Sequence, residues 1–116
     1  MSDRATDLLT EAADAMADRA STRDLPDGER SMARAVRTFH ALTGHLLTEV
    51  EGWTFMAVLK LSRSQAGAVH RDDFVDAAAY SALAGEAALR SSAAGRELLE
   101  RATAELGGGS RPERSW

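Results

Sequence analysis

Two short stretches hold the residue types that could do chemistry. In "LKLSRS", Lys60 and Arg63 lie three residues apart on one helical face, at the end of a long apolar run. In "HRDDFVDAAAY", His70 and Arg71 lead into Asp72, and Asp73, Asp76 and Tyr80 fall on one stripe of the following helix. Lysine, arginine and histidine donate to anions, and the planar fork of Arg63 suits bidentate contact with phosphate. Aspartates accept hydrogen bonds from a base or a ribose hydroxyl and can ligate a metal. Two readings follow. In one, the charges pair only with each other, because a buried ion without a partner is costly. In the other, Lys60, Arg63, His70 and Arg71 face an anionic ligand while Asp73 and Asp76 accept from it.

Other candidates are thinner. Arg30 and Arg34 flank Ser31 in "GERSM", near a helix start whose backbone N–H groups could hold phosphate; a solvated helix start is the simpler reading and is preferred. His40 and His45 are five residues apart and do not share a face, and no His/Asp/Glu metal spacing occurs, so no metal ligand is assigned. The nucleophile elbow, the P-loop and the dinucleotide fingerprint are absent from the sequence.

For the charged groups to meet, two helices must bring them together. Alanine and arginine are abundant, β-branched and aromatic residues are few, and isoleucine is absent, a composition that favours helix over strand. The first helix is expected from about residue 3 to 20, with Leu8, Leu9, Ala12, Ala13, Met16 and Ala20 inward. "STRDLPDG" reads as a loop. A second helix, 29–43, would bury Met32, Val36, Phe39 and Leu42, with Gly44 closing it. The third opens on a capping box, Thr48 to Glu51, and is apolar on nearly every side from Val50 to Leu61, which predicts burial all round. Gly67 stops it, and Asp72 or Asp73 caps a fourth helix rich in alanine. A fifth is expected from 92 to 106, and 107–116 forms a flexible tail. The expectation is one all-α domain, residues 1–106. It is a bundle of four to five helices around a central buried helical hairpin, and it is oligomeric.

Bulk properties exclude several classes. Fourteen basic and 18 acidic residues leave a net charge of −4 without a dense basic block, so duplex nucleic acid is not an expected partner. No cysteine is present, and no apolar run reaches the length needed to cross a bilayer, so no membrane partner is expected. A cytoplasmic location in a bacterial host cell is the expectation.

The segments "GERSMARAVRTFHALTGH", "EGWTFMAVLKLSRS" and "HRDDFVDAAAYSALAGEAA" together resemble a family of small phage- and prophage-encoded domains of unknown function. The shared pattern is a buried helix ending in Lys60-x-x-Arg63, a linker, and then Asp72, Asp73, Asp76 and Tyr80 on the next helix, over about residues 18–88. More remotely, the arrangement is similar to the all-α nucleoside triphosphate pyrophosphohydrolases of the MazG kind. Those are oligomers that hold Mg²⁺ between two acidic helices. Asp73-x-x-Asp76 matches one acidic motif, but Lys60-x-x-Arg63 stands where the other would be, exchanging metal ligands for phosphate donors. The resemblance therefore implies a homo-oligomeric phage or prophage protein that binds a phosphorylated small molecule. A nucleotide or nucleotide-derived signal is the expected ligand, sequestered from host defence, with no cofactor. The alternatives are a diverged Mg²⁺-dependent pyrophosphohydrolase and a protein-interaction module whose charges are structural.

Overall fold

The computed structural model describes residues 2–23 and 31–106. Arg30, the loop before it and the tail 107–116 lie outside the described residues. Four helices are present: α1 (Ala5–Arg23), α2 (Ser31–Thr43), α3 (Glu49–Ser64) and α4 (Arg71–Glu105). No strand occurs among the described residues.

Local chemistry fixes the helix ends. The Thr48 hydroxyl accepts the Glu51 N–H at 3.1 Å, and the Glu51 carboxylate accepts the Thr48 N–H at 2.9 Å, so the expected capping box opens α3. After α2, Gly44 takes the left-handed conformation (φ 76°) and donates to the His40 carbonyl at 2.8 Å. Gly67, in the linker after α3, has φ 75°. The start of α4 corrects an expectation. His70 is its N-cap, without a side-chain cap bond, while Asp72 and Asp73 sit inside the first turn, where negative charge favours the helix dipole. The separate fifth helix is corrected too: α4 continues for 35 residues through Ser91 and Ser92, because serine keeps the backbone donor that only proline removes.

α3 and α4 pack antiparallel, with Lys60 beside Asp76 at one end and Glu49 beside Arg90 at the other. α1 lies along α4 in the parallel sense. Ala12 packs with Val75 and Ala79, flanked by Leu8 and Met16, and further along Met16 reaches the cluster of Trp53, Leu83 and Ala87. Alanines at the α1–α4 contact let the two backbones close up; Ala79 retains only 1% of its exposure. Leu9 points away from this core and is exposed, one position off the buried stripe.

α2 departs most from expectation. Among the described residues it packs against α3 alone, and none of its residues is buried. Met32 seats on Gly52, but Phe39 and Leu42, expected inside, are exposed. The outer side of α3 is likewise open: Phe55, Val58 and Leu61 face away from α4. The expected burial of α3 on every side is thus corrected: its periodicity marks apolar faces, but no described helix covers the outer one. No described helix is long and apolar enough to cross a membrane.

Candidate functional site

The C-terminal end of α3 and the first turns of α4 bring four of the candidate residues together. Lys60 Nζ and Asp76 Oδ2 are 2.9 Å apart, with 16% and 20% of their side chains exposed. One turn further, Arg63 Nε stands 4.0 Å from Asp73 Oδ1, a distance beyond hydrogen-bond reach. The two partners differ sharply: the Arg63 side chain is 62% exposed and that of Asp73 only 6%. Among the described residues, the Asp73 carboxylate accepts no hydrogen bond.

Tyr80 lies deeper along the same α4 stripe. Its ring stacks on Trp53, with centroids 5.7 Å apart and planes 20° off parallel, and both belong to the core beside Leu83 and Ala87. Tyr80 thus packs the wall behind the charged cluster.

Arg71 points elsewhere. It donates to Glu11 at 2.7 Å and to Asp3 at 2.7 Å, and a further nitrogen donates to the Ser2 carbonyl at 2.9 Å. Hydrogen bonding to Glu11 and the nearby charges of Glu11 and Asp3 hold its pKa above the ordinary arginine value, against the opposing pull of desolvation. The residue therefore ties α1 to the start of α4. His70 is exposed at the α4 N-cap. Arg34 is exposed on α2, and Arg30 lies outside the described residues. Ser31 is the first residue of α2, and His40 and His45 are both exposed.

Of the cations proposed as donors, the structure sets Lys60 against Asp76 and Arg71 against Glu11 and Asp3. Within the cluster formed with Asp73 and Asp76, Arg63 keeps a largely open head. Glu11 and Asp3 were not singled out from the sequence: they lie 60 and 68 residues before Arg71, and nothing local announces the pairing. The Glu49–Arg90 contact at 3.3 Å is equally long-range. No group of three or more His, Asp or Glu side chains able to hold a metal ion occurs among the described residues. Chemically, the cluster can offer one open guanidinium and one buried acceptor side by side.

Residues 7–88 match a family described as a domain of unknown function, DUF6378, and the chain belongs to that family. No curated protein and no solved structure matches the chain. The matched span contains the whole charged cluster and ends within α4.

Proposed function

We propose that the protein binds a small phosphorylated molecule, a nucleotide or nucleotide-derived signal, at the Arg63–Asp73 end of the α3–α4 pair. It does so as a homo-oligomer. Sequestration of such a signal by a phage or prophage protein is the biological setting in which binding without turnover makes sense.

The single observation that carries this reading is Asp73. A carboxylate with 6% of its side chain exposed and a guanidinium 4.0 Å away bears the cost of desolvation without hydrogen bonds from the described residues in return. Buried acceptors of this kind are nearly always satisfied by something, and a ligand with hydroxyl or N–H donors would satisfy this one. Arg63, beside it and open to solvent, supplies the fork for the ligand's anionic group. Donor and anion on one small molecule describe a nucleotide. His70 is the nearest further candidate in sequence, and Lys60 contributes positive potential from behind its pair with Asp76.

Asp73→Asn tests the reading directly. An isosteric amide relieves the buried charge but gives up its favourable place in the first turn of α4, so the melting temperature of the unliganded protein should move by only a few degrees, while calorimetric affinity for the best member of a nucleotide panel falls at least tenfold. A larger fall in melting temperature with unchanged affinity would return Asp73 to a purely structural role. Incubating the same panel with Mg²⁺ and separating the products by chromatography covers the hydrolytic alternative, which no observation specifically favours. A second reading, an interaction module, is favoured by the exposed apolar side chains on α2 and α3. Failure of every nucleotide to bind at millimolar concentration would leave that reading standing.

A further inference from the structure

The apolar surface left open by α2 and α3 points to a specific occupant. We infer that the outer face of α3 and the C-terminal half of α2 form a two-fold interface with a second copy of the chain, in which α2 of each copy seats on α3 of the other. The inference rests on the homo-oligomer part of the reading above and not on the ligand.

Size is the first argument. Phe39, Leu42, Phe55, Val58, Leu59 and Leu61 are all exposed, Leu42 at 80% and Phe55 at 66%. Together they present on the order of 600 Å² of apolar surface, at the upper end of what a monomer leaves open. A partner in a standard interface contributes roughly 800 Å², so these side chains alone would supply most of one.

Shape is the second. Val50, Glu51, Thr54, Phe55 and Val58 line an open hollow of about 300 Å³ on α3. α2 offers projecting apolar side chains, and its own contact with α3 is made elsewhere, through Met32 on Gly52. Knob and hollow thus lie on the same chain without meeting. A two-fold axis lets each copy fill the other's hollow, and the contact closes upon itself.

Charge is the third. α2 carries Arg34 and Arg37 and no acid, and neither arginine pairs with an acid among the described residues. The first turn of α3 carries Glu49 and Glu51, with Glu51 at the rim of the hollow. α2 of one copy therefore complements α3 of the other in sign as well as in shape.

The test is light scattering on the full chain and on two single variants, Phe55→Asp and Leu42→Asp. Both positions are already in contact with solvent in the single chain, so each variant should keep its helical circular dichroism. The wild type should scatter at twice the 12.4 kDa chain mass at micromolar concentration, and each variant at the chain mass. A monomeric wild type would overturn the inference. So would a dimer that both variants leave intact, or one that dissociates only on Leu98→Glu or on removal of 107–116, because the interface would then lie on the end of α4 or on the tail. The chain has no cysteine, so single labels are simple to place. Spin labels at Thr54→Cys should lie closer across the dimer than labels at Glu97→Cys, and the reverse order would overturn the inference even if the aspartate variants failed to fold. Nucleotide binding is read separately, since neither Leu42 nor Phe55 belongs to the proposed ligand site.

Discussion

Lys60 and Asp76 join α3 to α4 through a contact of 2.9 Å, with at most a fifth of either side chain exposed. Water screens such a pair weakly, so removing one partner costs more than removing a surface bridge, yet less than the roughly 3–5 kcal/mol seen when a fully buried pair is broken. Asp76→Asn should therefore destabilise by about 1–3 kcal/mol in denaturant titration, a melting shift of several degrees. Lys60→Met combined with Asp76→Leu should recover much of that loss, since the pair is replaced by apolar groups of similar size. If Asp76 also reads the ligand, Asp76→Asn lowers affinity as well. Unfolding at room temperature would mark the position as purely structural.

Arg63 is the open cation of the cluster, and its planar fork is what a phosphate would use. Arg63→Lys keeps the charge and loses the fork, so the fold should hold while affinity for a nucleotide drops roughly tenfold. Equal affinity in calorimetry would shift the anion contact to Arg30 and Arg34.

Arg71 holds the first turns of α1 against α4. Arg71→Gln should speed hydrogen exchange in the first two turns of α1 and leave α3 unchanged; uniform protection across both helices would contradict this. Its pKa is raised, so the contribution is fully present below the ordinary arginine pKa and is lost only as pH climbs through a still higher value. Titrating this guanidinium should therefore cause no loss of α1 protection between about pH 6 and about pH 10.

Gly52 lets α2 approach α3: a Cβ built there would overlap Met32 Sδ. The methionine chain is flexible and can swing aside, and alanine gains helix propensity of about 1 kcal/mol over glycine, so Gly52→Ala should be nearly neutral. Gly52→Val should displace Met32 and loosen α2, visible as a shifted Met32 methyl resonance and lower stability. Adding Met32→Ala to Gly52→Val should restore part of the loss, and no recovery would place the clash elsewhere.

Local signals were legible in the sequence. The Thr48–Glu51 box, the glycine after α2 and the facing of Lys60 and Asp76 follow from spacing within a turn or across a short linker. Arg71 was legible only as a cation. Its partners come from a helix some sixty residues earlier, and a residue type cannot announce a contact made by tertiary packing. Phe39, Leu42 and Phe55 show a different limit: periodicity tells which side of a helix is apolar, not whether the rest of the fold covers it. The boundary expected between two helices near Ser92 is absent, because the backbone there still carries the hydrogen bonds that continue α4.

The continuity of α4 bears on any excised fragment. The family span closes at residue 88, whereas the helix runs on to Glu105. A chain cut at that point would end mid-helix, with its last four carbonyls deprived of their donors. It would also lose the Arg90 guanidinium that meets Glu49 at the start of α3. Fraying would then begin at Ala87 itself and within about a turn and a half of Leu83, both of which pack on Trp53. Sequence kinship and mechanical integrity thus have different borders in this molecule, and a self-sufficient unit extends at least one helical turn beyond Arg90.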